Sequence, residues 1–217
     1  MIKSGSNLIA VAYPGYSGGK FLINCLGLSD ACCLQHADLL HLSPDEKFRY
    51  LTKRLDKIIN KKTAWDDLGL GDWQLFGWPV DYHAVSRLPK DKFCFAVAHE
   101  SDRLTKIINC HPDAHRIYFV NNQRFINWRL KTDEKIEPHT WCPESESAYY
   151  WSADWFLDQS LFLDNLENLY QSLGLRDFNR EFVTTYREKY FQALTMIKDN
   201  DLQDRPIPTH DFNRVRI

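Results

Sequence analysis

Hydrophobic positions fall along this chain in two rhythms, short continuous runs and stripes of helical period, and the two alternate through residues 8–131. Residues 8–13 (LIAVAY) form an unbroken apolar run stopped by Pro14 and a cluster of glycines, which predicts a buried strand. Residues 20–28 continue as a helix that Gly27-Leu28-Ser29 ends. Ser43-Pro44-Asp45-Glu46 signals the start of a second helix, with proline at the first helical position and a glutamate three residues after the serine. Phe48, Leu51, Leu55, Ile58 and Ile59 keep its apolar stripe to about Asn60, and its lysines and arginines fall to a solvated face. Residues 93–98 predict a second buried strand with a helix over 101–109, and residues 116–120 a third strand with a helix over 122–131. This alternation predicts an α/β fold: a three-layer α/β/α sandwich with a central parallel sheet. Positions 14, 99 and 121, each just past a strand, then share one rim.

Two stretches break the rhythm. Residues 63–90 are turn-rich and carry Trp65, Trp73, Trp78 and Tyr82 among glycines and aspartates, and residues 132–150, with Pro138 and Pro143, read as a second loop. Segments 63–90 and 132–155 are expected to line the site of a single domain covering residues 1–217. The C-terminal third is expected to be helical. Residues 158–173 carry Leu161, Leu163, Leu166, Leu169 and Tyr170 and stop at Gly174, and residues 179–198 form a second amphipathic helix. The tail from Asp199 to Ile217 reads as irregular.

Composition narrows the possible partners. A net charge of -2 gives no general attraction to nucleic acid, so any anion site must be local. The early apolar run is far too short to span a membrane and no basic leader with a long apolar segment precedes it, so a cytoplasmic location is expected. Cys25, Cys32, Cys33, Cys94, Cys110 and Cys142 make no C-x-x-C pair, and reduced thiols packing as small hydrophobes are expected. A zinc site built on Cys110 and His111 lacks four ligands at workable spacing.

The candidate chemistry lies in the turn after the first strand. Gly15, Tyr16, Ser17, Gly18, Gly19, Lys20 and Phe21 join a strand to a helix, and such a turn can direct backbone N–H groups and a lysine at an anion. The usual phosphate loop ends in Gly-Lys-Ser/Thr, whose hydroxyl ligates magnesium, but Phe21 stands in that place and Pro14 replaces the leading glycine. An anion cradle without a metal is therefore expected.

Three segments together resemble the sulfotransferases that use 3′-phosphoadenosine 5′-phosphosulfate. Tyr13-Pro14 and the run from Ser17 to Leu22 look like that family's Tyr-Pro-Lys-Ser-Gly-Thr-Thr-Trp-Leu loop with one residue inserted, Gly15 and Tyr16 standing where the family lysine lies. Residues 95–99 are similar to the family strand ending in Lys-Thr-His, whose histidine is the general base. Residues 116–125 resemble the strand and Arg-Asn-Pro-Arg-Asp turn that binds the 3′-phosphate, with Asn121 at the family arginine, Arg124 at a basic position of some relatives, and Arg129 at the family serine.

The resemblance implies a P-loop nucleotide-hydrolase-like fold. It also implies transfer of a sulfuryl group from 3′-phosphoadenosine 5′-phosphosulfate to a hydroxyl or amine, with Lys20 and His99 catalytic. Residues 15–21, Asn121, Arg124 and Arg129 would bind the donor. Histidine suits the base because its ordinary pKa lies near neutrality. Apart from the resemblance, the aromatic residues of 65–82 and of 139–155, including His139, Trp141, Tyr149, Tyr150 and Trp151, suit a wall for a small-molecule or glycan-like acceptor, and core and loop packing explain them equally well. Two alternatives stand beside this reading: a P-loop nucleotide kinase or NTPase in which Glu100 acts near a metal, and a non-catalytic nucleotide-binding protein of the same fold.

Overall fold

The structure, a computed structural model of the chain, describes residues 7–13, 17–33, 42–61, 91–99, 101–120, 124–125 and 147–199. In chain order the elements are β1 (Leu8–Ala12), α1 (Gly19–Gly27), α2 (Pro44–Lys61), β2 (Cys94–Ala98), α3 (Ser101–Cys110), β3 (His115–Val120) and β4 (Ala148–Ser152). A 3₁₀ turn (Ala153–Leu157), α4 (Gln159–Ser172) and α5 (Arg180–Asp199) follow. The four strands form one sheet in the order β2-β1-β3-β4, every pair parallel. The chain is thus an α/β fold.

Strand alternation decides which helix covers which face. Ile9, Val11, Phe95, Ile117 and Phe119 pack with residues of α1, α2, α4 and α5, whereas Ala10, Ala12, Ala96 and Ala98 pack with Leu104 and Ile107 of α3. The alanines leave room for α3 to lie close to the sheet. The connection from β1 moves one way along the sheet, and the connection from β2 crosses back over β1 to β3. Right-handed crossovers in opposite directions must lie on opposite faces, and α1 and α3 do.

Residues 148–152, expected within a loop, instead form β4. Ala-Tyr-Tyr-Trp-Ser is rich in strand-forming aromatics, and β3 supplies the hydrogen-bonding edge that makes the strand worthwhile. Trp151 enters the core and the Tyr149 hydroxyl donates to Asn165 O at 3.1 Å. Trp151 is therefore unavailable for the expected acceptor wall, and the segment 63–90 lies outside the described residues.

The N-terminus of α2 is capped as its sequence predicts: Ser43 N and Oγ donate to Glu46 Oε2 at 2.8 and 2.7 Å. These bonds hold the Glu46 carboxyl below its ordinary value. Lys47 overturns the expectation of a wholly solvated basic face. It is fully buried and its Nζ donates to Ser29 O at 2.5 Å and Cys32 O at 2.7 Å, carbonyls in the chain just after α1. Asp177 fixes the same turn by accepting from Ser29 Oγ at 2.6 Å and from Asp30 N at 2.5 Å. On its other side α2 meets α5, where Phe48 and Phe182 stack at 4.3 Å and Lys189 pairs with Asp56.

Candidate functional site

In an open parallel sheet the crevice lies outside the carboxyl ends of the strands where their order reverses, which in the order β2-β1-β3-β4 is between β1 and β3. Tyr13 follows β1 at that point, and His99 follows β2 on the other side of β1. Tyr13 N donates to Ala98 O at 3.0 Å, extending the ladder one step past the strands. The Tyr13 carbonyl then lies 3.0 Å from His99 Nδ1. A carbonyl can only accept, so Nδ1 carries the proton and the lone pair of neutral His99 is on Nε2. The two rings meet edge to face with centroids 4.6 Å apart, and Tyr13 also touches Phe119.

The glycines of the loop have a packing reason. A Cβ on Gly19 would fall 2.2 Å from Cδ1 of the Tyr13 ring, so α1 can begin against that ring only with glycine there. Gly18 has a φ of 84°, and a Cβ on it would fall 2.6 Å from the Phe156 ring. Ser17, Gly18 and Gly19 are all buried. Gly18 is the N-cap of α1 and brings no side chain to cap it, and no acidic residue lies in the first turn. That end of the helix therefore keeps its positive polarity.

Lys20, half-buried, follows directly on the glycine that touches Tyr13. Its charge reaches His99, as does that of Arg103, one turn into α3. Burial lowers the His99 pKa most, the two cations add to that, and the bond to Tyr13 O works the other way; the result is a pKa of about 4. His99 is thus neutral at pH 7. The unfolded chain takes up a proton near pH 6.5 that the folded protein refuses until about pH 4, so stability contributed by neutral His99 is complete above pH 6.5 and is lost as pH falls through that window. The shift corresponds to about 3 kcal/mol. Urea unfolding at pH 7 and pH 4 should find the wild-type advantage over His99→Asn shrinking by about that amount. Parallel pH dependence in the two proteins would contradict the burial of His99.

The other expected site residues divide. The Phe21 side chain is fully buried, stacked on Tyr190 at 4.3 Å and on Phe162 and Tyr186 at 5.5 Å, so Phe21 can offer a ligand only its backbone N–H. Arg124 is exposed at a helical turn after β3, where its charge acts on Asp154. The Asp154 carboxylate accepts from Phe125 N at 2.8 Å, and burial raises its pKa. Gly15, Tyr16, Glu100, Asn121 and Arg129 lie outside the described residues.

Three residues of this rim escaped the sequence reading. Tyr13 orients His99 through its backbone, which no side-chain motif announces. Arg103 stands four residues after His99, a helical spacing that could have pointed to it. Asp154 meets Phe125 from 29 residues away in the chain, and nothing local signals that contact.

Among the described residues no group of three or more His, Cys, Asp or Glu could hold a metal ion, and no helix is long and apolar enough to cross a membrane. Compared with protein-family profiles, curated proteins and solved structures, the chain finds no match.

Proposed function

We propose that this chain is a P-loop-type sulfotransferase, a three-layer α/β/α sandwich that moves a sulfuryl group from 3′-phosphoadenosine 5′-phosphosulfate to a hydroxyl or amine acceptor. The observation that carries this reading is that the charge of Lys20, at the start of α1, acts on neutral His99, which stands just past the end of β2 and is tied to Tyr13 O past the end of β1. Residues 15–21 would hold the phosphosulfate, Phe21 by its main chain alone, and Lys20 would stabilise the bridging oxygen as the P–O–S bridge breaks. The acceptor oxygen or nitrogen forms the new bond to sulfur, and its proton passes to His99 Nε2. Arg124, with Asn121 and Arg129, is the proposed contact for the 3′-phosphate. The acceptor is proposed to be a small molecule or glycan, and the setting cytoplasmic.

A second reading, a nucleotide-binding protein without catalysis, is favoured by two observations. Gly18 and Gly19 are required by the rings they touch whether or not an anion binds, and a pKa of about 4 makes His99 a weak base. An anionic donor beside Lys20 would offset the cations that depress that pKa and so restore basicity.

Thermal shifts separate the readings. Stabilisation by 3′,5′-adenosine bisphosphate without metal is the expected result, about 2.7 kcal/mol at a hundredfold excess over Kd. Stabilisation by ATP with magnesium alone would favour a kinase or NTPase, and no response to either would leave the sulfotransferase reading without its donor.

A further inference from the structure

We propose that Cys33 and Cys94 are a thiol pair that a hydroperoxide oxidises to an intramolecular disulfide, making the amino-terminal end of β2 a site of redox modification. The chain after α1 runs beside the start of β2: Phe93 N donates to Ala31 O at 2.7 Å, Cys33 N donates to Phe93 O at 2.8 Å, and Cys32 and Phe93 form a parallel bridge. The next step in that register sets Cys33 beside Cys94. Neighbouring strands lie about 4.8 Å apart, within the Cα separation of about 4.4–6.8 Å that a disulfide spans.

Alternation selects the partner. Cys32 points to the face of Ile9 and Val11, whereas Cys33 and Cys94 share the opposite face with Ala10, Ala96 and Leu104. Cys25 belongs to the Cys32 face, and Cys110 is exposed at the end of α3. All five described cysteines are free thiols.

The surroundings give the pair unequal roles. A hydrogen bond with the Cys94 thiol holds Cys33 below its ordinary value, with the Lys92 and Lys47 cations acting the same way against burial, while Cys94 is raised. Lys92 lies 3.6 Å from Asp30, and Lys47 is fixed on Cys32 O, so both charges belong to this corner of the fold. Cys33 is the attacking thiolate and Cys94 keeps its proton. Both residues are nearly enclosed, at 1% and 2% exposure, which favours a small oxidant.

In the first step the Cys33 thiolate attacks one peroxide oxygen, the O–O bond breaks, and the departing hydroxide or alkoxide takes a proton to become water or alcohol. Cys33 is left as a sulfenic acid. Cys94 sulfur then attacks that sulfur, forming the S–S bond; the S–OH bond breaks, and the hydroxide leaves with the Cys94 proton as water. Two thiols are oxidised and one peroxide is reduced.

The test treats the folded full-length chain with hydrogen peroxide, blocks remaining thiols under denaturing conditions, and maps linked peptides by fragmentation mass spectrometry. A Cys33–Cys94 link that dithiothreitol reverses is expected. The link should persist in Cys32→Ala and vanish in Cys33→Ala and Cys94→Ala. A link from Cys32 to Cys94 in the wild-type protein would overturn the register, and Cys33 oxidised to sulfinic acid with Cys94 untouched, or no Cys33–Cys94 link at all, would overturn the pairing.

Discussion

Replacing His99 with Asn is expected, on the sulfotransferase function proposed above, to slow sulfuryl transfer by about 10²–10⁴-fold while binding of 3′,5′-adenosine bisphosphate is retained. Asparagine is chosen because its side-chain amide can donate to Tyr13 O as Nδ1–H does now, keeping the turn after β1 tied to the end of β2. What it removes is the lone pair on Nε2. The experiment follows labelled sulfuryl from the donor into a mixed pool of hydroxyl and amine acceptors and measures nucleotide binding by calorimetry. Full transfer in the variant would remove His99 from the chemistry. Loss of binding together with transfer would show that His99 holds the loop and takes no proton. A further signature separates these roles: because His99 titrates near pH 4 before any anion binds, kcat/KM should hold its plateau well below pH 6.5.

Phe21→Ala is expected to cost about 3–5 kcal/mol of stability. The ring is fully enclosed and touches Phe156, Phe162, Tyr186, Tyr190 and Phe191, so it joins the first helix to the 3₁₀ turn, α4 and α5. Truncation leaves a cavity among rings that several elements hold in place, and little of it can collapse. In a chain of this size the change should lower Tm by on the order of 10 °C. Denaturant unfolding checks it, and a loss under about 1 kcal/mol would mean that the aromatic cluster repacks freely. If Phe21 were instead a ligand contact, its replacement would weaken nucleotide binding more than folding.

The same residue marks a boundary of what a sequence tells. The absence of a hydroxyl at position 21 is plain in the letters, but a phenylalanine beside a lysine at the start of a helix does not say which way its ring turns. Helix geometry sends Lys20 and Phe21 about 100° apart around the axis, and the aromatic residues of α4 and α5, distant in sequence, take the ring. Lys47 carries the same lesson with opposite polarity. Its charge assigns it to solvent although helical period sets it one turn before Leu51 and two before Leu55, and the turn after α1 offers two carbonyls that draw its ammonium inside.

Among the described residues, the chain's own letters determined the first three strands and the five helices, since burial period, Pro44, the Ser43–Glu46 cap and the stop at Gly174 are local signals read over a few residues. They also determined that His99 would follow a strand and Lys20 would open a helix. Only the tertiary structure decided that β1 and β2 are neighbours, that their helices leave to opposite faces, and that Tyr13 O therefore meets His99 Nδ1. It likewise made β4 from residues 148–152, because a short aromatic strand is fixed by the edge it joins, and set Cys33 beside Cys94, because register is a relation between segments far apart in sequence.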